Sequence, residues 1–226
     1  MPRPNIDWSG TSQRTRRSTM KVAIIGSGNV GKALGTSLTR AGHDVTLTAH
    51  DPQHASDAAA QIGASSNGSN VDAMRDADFV ILAAPYAVVR DQVAPEILDA
   101  ARGHVVIDAT NPLTADYSGL ATGDTSAAEQ FQQLLPGSHV IKAFNTVFAS
   151  VQADPSAGEG TVDGFVAGDD ATAKQAVLEL VASIGLTPLD VGPLSSARYL
   201  EGMAFINIGL NAANGWGWNT IWRLER

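Results

Sequence analysis

The chain has 226 residues, 44% of them hydrophobic and 17% charged, which is enough for one sizeable core. Its formal net charge of −8 disfavours a nucleic-acid or anionic-membrane partner, and the complete lack of cysteine removes disulfides, thiolate metal sites and thiol catalysis. No apolar run approaches the length that spans a bilayer, so no membrane partner is expected and a cytoplasmic location is.

Residues 1–19 are polar, contain Pro and Arg and lack apolar periodicity, so they read as a disordered N-terminal extension. A Rossmann-type nucleotide-binding domain is expected over residues 20–194 and a C-terminal helical segment over 195–226.

The domain opens on Val22-Ala23-Ile24-Ile25, a short apolar run that breaks into Gly26-Ser27-Gly28-Asn29-Val30-Gly31 and continues at helical spacing through Leu34 and Leu38. This is G-x-G-x-x-G in the strand, turn and helix context that gives the motif meaning. Gly26 permits the turn, Gly28 leaves room for a pyrophosphate against the backbone, and Gly31 lets the helix pack on the strand. The free N–H groups at the helix start then face the phosphates.

Asp44–Thr48 alternates as a second strand. Its end meets the adenosine ribose in this fold, and Ala49 stands where NAD enzymes tend to place a carboxylate. Thr48 and His50 are available to a 2′-phosphate, which favours NADP(H), while Asp51 argues the other way. His50 and His54 are four apart, but no third ligand lies near, so no metal site is expected. Asp51 and Pro52 start a helix that runs to Ile62, Gly63–Asn70 reads as a loop and Val71–Asp76 as a short helix.

Asp78–Pro85 is a continuous apolar run, the pattern of a parallel strand buried on both faces. Its carboxyl end places Ala83, Ala84, Pro85 and Tyr86 beside the cofactor's centre. A helix from Tyr86 to about Leu98 contains Pro95, which should kink or split it. The strand His104–Asp108 delivers Asn111, a candidate contact for the nicotinamide ribose. Ser126–Leu135 reads as a helix, and the strand His139–Phe144 delivers Asn145, Thr146 and Ala149 to the same edge. Thr161–Gly168 and Pro188–Gly192 bracket a helix from about Asp170 to Ile184. The tail from Ser195 to Trp222 reads as helical, with Arg198 and Glu201 three apart as an ion pair. His104 and His139 lie at strand starts, away from the chemistry, and read as structural.

The fold class is therefore α/β: a Rossmann-type doubly wound, mostly parallel sheet with a small C-terminal helical subdomain. There is no G-x-S-x-G elbow and no nucleophile with its base, so hydrolysis is disfavoured and hydride transfer fits better.

The pieces Met20–Gly31, Gly168-Asp169-Asp170 and Leu189–Ser195, with Arg198 and Glu201 beyond, resemble the coenzyme F420-dependent NADP oxidoreductases. The resemblance implies hydride exchange between NADP(H) and a deazaflavin, with coenzyme F420 as co-substrate, and a homodimer. By position it places phosphate contacts on Ser27, Asn29 and Val30, 2′-phosphate contacts near Thr48 and His50, and the ring pocket on Pro85, Asn145, Thr146 and Ala149. Such proteins commonly carry Ser-Arg where this chain has Ala49-His50, and the end Trp216-Gly217-Trp218 with Trp222 has no counterpart that the resemblance supplies. Two alternatives stand beside this reading. One is an NADPH-dependent imine or small-carbonyl reductase, with Tyr86, Tyr117 or Thr146 as proton donor. The other is a non-catalytic NADP(H)-binding sensor.

Overall fold

A computed structural model describes residues 19–156 and 160–225; the extension expected over 1–19 lies, but for its last residue, outside the described residues. The strands β1 (Lys21–Ile25), β2 (Asp44–Thr48), β3 (Ser65–Ser66), β4 (Phe79–Leu82), β5 (Val105–Asp108), β6 (His139–Lys142), β7 (Asp163–Gly168) and β8 (Thr187–Asp190) form one sheet in the order 3-2-1-4-5-6-7-8. Every pairing is parallel except β6 with β7. This is the doubly wound Rossmann-type architecture.

Alternation within the strands builds two cores. Ile24, Leu47, Ile81, Ile107 and Ile141 point to one face, where they meet Leu34 and Leu38 of α1 (Asn29–Arg40), Ala58 and Ala59 of α2 (Pro52–Ile62), and Val177 and Val181 of α8 (Ala171–Ser183). Ala23, Ile25, Val80, Leu82, Val106 and Val140 point to the other, against Met74 of α3 (Asn70–Met74) and Phe131 of α6 (Ala127–Leu134). Each large side chain so buried contributes about 1.5–3 kcal/mol relative to exposure. A third cluster, Phe165, Ala167 and Leu200 with Met203 and Trp222 against it, seats α9 (Ala197–Asn214) on the far end of the sheet.

Local chemistry sets the helix ends. The Asp51 carboxylate accepts from the Gln53 N–H with Pro52 in the first turn, and Gly63 closes α2 in the left-handed region at φ 70°. Ser126 accepts from the Glu129 N–H at the start of α6.

Several elements differ from the sequence reading, each for a physical reason. Ser65–Ser66 pairs with Thr46 and Leu47 as an edge strand inside the expected loop, too short for any periodicity to show. The helix after β4 splits into α4 (Tyr86–Val88), a π-helical turn over Val89–Val93 and α5 (Ala94–Ile97). Pro95 has no N–H for the carbonyl four residues back, and the widened turn just upstream accommodates its ring. The strand expected to reach Phe144 stops at Lys142, because Phe144 turns into the left-handed region at φ 69°. A short helix, α7 (Ala149–Ala153), follows and packs on α1. The C-terminal helix ends at Asn214, where Gly215 at φ 64° caps it, and the tryptophans beyond lie on an irregular strap. Among the described residues no helix is long and apolar enough to cross a membrane.

A Cβ on Gly31 would stand 1.8 Å from the Gly26 carbonyl oxygen, whereas one on Gly28 would meet nothing within 4 Å. Thermal denaturation of Gly31→Ala should therefore show a loss of about 1–3 kcal/mol, several degrees in Tm, with a far smaller change for Gly28→Ala.

Candidate nicotinamide nucleotide site

The chain leaves β1 for β2 and β3 on one side and returns to β4 on the other, so the loops after β1 and β4 splay apart at the switch in strand order. Gly26 sits there at φ 115°, and a Cβ on it would lie 2.7 Å from the backbone of Ala83 and Ala84. The two loops approach this closely only because Gly26 has no side chain. The α1 N-terminus has no side-chain cap and no acid in its first turn, so its N–H groups face open space above Gly28. Ser27 is buried and its Oγ has no hydrogen-bond partner. An uncapped helix start, an orphaned hydroxyl and a glycine with room in front of it together fit a dinucleotide pyrophosphate.

Two cavities adjoin this cradle. The first, about 480 Å³, is lined by Gly26, Ser27, Gly28, Ala49, His50, Ala84 and Pro85, joined by His54 and Glu96. The second, about 1020 Å³, lies on the far side of the α1 N-terminus and is lined by Asn29, Val30, Asn111, Asn145, Thr146 and Ala149 among others. The sequence-predicted residues are thus brought together in two groups flanking the glycine turn. Three of them, Gly31, Thr48 and Tyr86, line neither cavity. Gly31 is consumed by the contact of α1 with β1, and Thr48 lies beneath the floor with its hydroxyl donated to Asn70 Oδ1 at 2.5 Å.

In the larger cleft the backbone is bent to purpose. Phe144, buried and in the left-handed region, is an uncommon conformation for a bulky side chain. The Gln152 amide holds the turn by donating to the Phe144 and Val147 carbonyls at 2.8 and 2.9 Å. The turn aims Asn145 and Thr146 inward. Asn145 Nδ2 donates to Asn111 Oδ1 and to the Leu200 carbonyl, both at 3.0 Å, and Asn111 Nδ2 donates back to the Asn145 carbonyl at 3.1 Å. Asn145 Oδ1 and Thr146 Oγ1, on the cleft wall, are buried without partners. Such atoms suit the carboxamide and ribose hydroxyls of a nicotinamide nucleoside.

Tyr86, expected at the cofactor's centre, instead packs into the opposite core against Phe131, and its hydroxyl donates to Gln130 Oε1 at 2.5 Å. It lines neither cavity because the helix start turns its ring under the sheet. Tyr117 lines the larger cleft from an exposed loop. Among the described residues no group of three or more His, Asp or Glu is placed to hold a metal.

Sequence reasoning missed the charged cluster directly behind this wall. Lys142 ends β6, is fully buried, and donates to Asp108 Oδ2 at 2.8 Å, Glu201 Oε1 at 2.8 Å and the Thr110 carbonyl at 2.7 Å, using all three ammonium protons. Burial pushes the ammonium down, but the Asp108 and Glu201 carboxylates more than offset it, so Lys142 stays above the ordinary lysine value. Glu201 is pushed up, chiefly by burial, although Lys142 pulls it down. The expected Arg198–Glu201 pair does not form. Glu201 turns inward to Lys142 and the Ala127 N–H, and Arg198 turns out to grip Glu129 at 2.6 and 2.8 Å. That grip holds the Glu129 carboxyl below its ordinary value.

A Rossmann sheet with this cradle and these two cavities defines a dinucleotide-binding domain. Residues 21–112 match the family described as NADP oxidoreductase, coenzyme F420-dependent. A candidate F420-dependent NADP reductase from Arthrobacter sp. FB24 superposes with TM-score 0.82 at 27% identity, covering 91% of this chain and 100% of that one. A hypothetical protein from Sinorhizobium meliloti is 34% identical, with TM-score 0.69 over 80% of this chain and 88% of that one. Rat metalloreductase STEAP3 is 29% identical over 199 residues, 87% of this chain but 38% of that protein, so the chain spans well under half of this curated relative. The likeness to the coenzyme F420-dependent NADP oxidoreductases is thus carried by residues 21–112, and the fold of the Arthrobacter protein continues over most of the remaining chain.

Replacing Lys142 by Met leaves two buried carboxylates without their cation and should cost about 3–5 kcal/mol at neutral pH. A buried carboxyl with a raised pKa takes up a proton more readily folded than unfolded, so the variant should regain stability as pH falls toward the ordinary glutamate range. Urea denaturation at pH 8 and pH 5 measures both, with the smaller penalty expected at pH 5.

Proposed function

We propose that the protein is an NADP(H)-dependent reductase that exchanges hydride with a deazaflavin, coenzyme F420, or a flavin-like acceptor, acting in the cytoplasm as a homodimer. In this reading Ser27, Gly28, Asn29 and Val30 receive the pyrophosphate, and Ala49 and His50 the adenosine ribose and its 2′-phosphate. Thr48 contributes from behind through Asn70. Asn111, Asn145 and Thr146 hold the nicotinamide end, with Pro85 and Ala149 at its edges. The Rossmann unit extends through residue 194 and the helical segment from 195 supplies the far wall of the cleft.

The observation that carries the reading is the larger cleft. It has room for a second ring beside the nicotinamide position, and among the described residues lining it there is no carboxylate and a single formal charge, Lys32. An anionic planar acceptor suits such a wall in a chain of net charge −8. A reduced nicotinamide held by Asn111, Asn145 and Thr146 would supply a hydride to the acceptor ring beside it. The protein's own contribution is to hold the two partners face to face and keep water out, and such orientation is worth about 7–11 kcal/mol of barrier. Imine or carbonyl reduction needs a positioned proton donor; the Tyr86 hydroxyl is committed to Gln130 outside the cleft, which leaves that alternative with Tyr117 and Thr146 on the cleft wall. The exposed apolar residues Tyr199, Ile206 and Leu210 along α9 supply a face for a second copy.

The expected result is oxidation of NADPH by coenzyme F420, followed by absorbance, with a lower KM for NADPH than for NADH. Tight NADPH binding without turnover of F420, FMN, ferric citrate or a cyclic imine would overturn it in favour of a sensor. Substituting His50 by Ala should weaken NADPH binding by about tenfold or more and leave NADH binding nearly unchanged, as measured by calorimetry.

A further inference from the structure

Three tryptophans lie in the described residues, and the structure separates them. Trp222 packs on the third core cluster, Trp216 stands in solvent, and Trp218 lines the larger cleft with 45% of its surface exposed. Trp218 is held there by the strap that follows α9. On one side the Trp216 N–H donates to the Asn211 carbonyl at 3.1 Å. On the other, Thr220 Oγ1 donates to Asn207 Oδ1 at 2.7 Å and accepts from Asn211 Nδ2 at 2.6 Å. Ser150 Oγ donates to the Trp218 carbonyl between these two anchors.

The backbone of Trp218 itself is left-handed, at φ 57°, a conformation that a bulky residue adopts only when its surroundings impose it. Its ring meets Phe148, another lining residue, at 88° with centroids 5.5 Å apart. Two aromatic faces thus form a right-angled corner in a wall whose other aromatic residues are Phe144, buried in its turn, and Tyr117, on an exposed loop. Burying a tail would have placed this indole inside, as it does Trp222. Here an indole is set at the tip of an anchored loop and left open toward the cavity.

We propose that Trp218 is a specificity-determining residue: its indole, backed by Phe148, is the platform on which the planar ring of the hydride acceptor lies. The assignment rests on the proposed function for the identity of that acceptor, but it concerns any planar heteroaromatic ring entering the cleft. Flat stacking on an indole is available to a deazaflavin or isoalloxazine ring and not to a compact chelate. The Asn207 and Thr220 bond ties the strap to a cleft-lining residue of α9, so the platform keeps a fixed place relative to Asn145, which is itself bonded to the α9 carbonyl of Leu200.

The test uses the full chain saturated with NADP⁺ and titrates riboflavin, an uncharged planar ring, by calorimetry. Trp218→Ala should weaken riboflavin binding by about tenfold or more, Trp218→Phe should retain most of it, and Trp216→Ala should match the unaltered protein. NADPH affinity and Tm should be unchanged in all three. In turnover, Trp218→Ala should raise the KM for coenzyme F420 by a similar factor with kcat altered by less than about threefold. Equal riboflavin affinity for Trp218→Ala and the unaltered protein overturns the platform, even if F420 is turned over. Loss of riboflavin binding in Trp218→Ala from a protein that never turns over F420 supports the platform and removes the deazaflavin reading instead. An unaltered protein that binds no planar ring at all overturns both.

Discussion

Two adjacent strands of this sheet end in opposite charges, and much else depends on their meeting. Asp108 and Lys142 are cross-strand partners at the carboxyl ends of β5 and β6, and both are fully removed from water. Desolvating an ion costs several kcal/mol even after relaxation, so the arrangement survives only because every proton and lone pair on it is used well. Glu201 brings a second carboxylate from α9 and leaves the cluster with one surplus negative charge. That surplus faces the first N–H of α6, whose bond to Glu201 adds the positive end of a helix to the balance. One lysine therefore fixes the register of two strands, the seat of the C-terminal helix and the start of a fourth element. The loop carrying Asn111 into the cleft hangs from the same ammonium through the Thr110 carbonyl.

The cradle and the cleft express a division of labour around this anchor. Regions under the sheet are apolar and interdigitated, and they carry the stability. At the carboxyl edge the rules are broken locally: Phe144 adopts a left-handed backbone, and Ser27, Thr110, Asn145 and Thr146 hold buried polar atoms without partners. Each unsatisfied buried group costs about 1–3 kcal/mol, and each strained residue a comparable amount. These penalties cluster where a ligand's phosphates, hydroxyls and carboxamide would relieve them. Rigid support behind them, from Gln152, Asn111 and the buried lysine, keeps the unsatisfied atoms from collapsing onto one another.

The C-terminal segment joins the site by the same logic. The α9 carbonyl of Leu200 fixes Asn145, Glu201 fixes Lys142, and Asn207 reaches both the cleft and the strap. An 18-residue helix with polar residues buried at Glu201, Asn207 and Asn211 is poor as a mere cover for a sheet. It makes sense as a beam from which cleft residues are positioned.

Much of this was legible in the chain itself. The glycine spacing, the short β-branched and apolar runs, and the caps at Asp51, Pro52 and Gly63 are local signals, because turns, strands and helix ends are set by residues a few positions apart. They place the sheet's parallel half and the glycine turn that opens α1 without any tertiary information. The pairing of Lys142 with Asp108 and Glu201 was not legible, although two four-residue strands ending in opposite charges offered a hint. It joins residues 34 and 59 positions apart, and nothing local distinguishes a buried ion from a solvated one. The same holds for Thr48, whose hydroxyl turned to Asn70, for Tyr86, which went under the sheet, and for the choice among three tryptophans. Sequence determined the class of fold and the glycine turn between β1 and α1 through short-range chemistry. Only the folded chain, by bringing distant strand ends, a C-terminal helix and its strap to one edge, selected which polar and aromatic groups face the cleft.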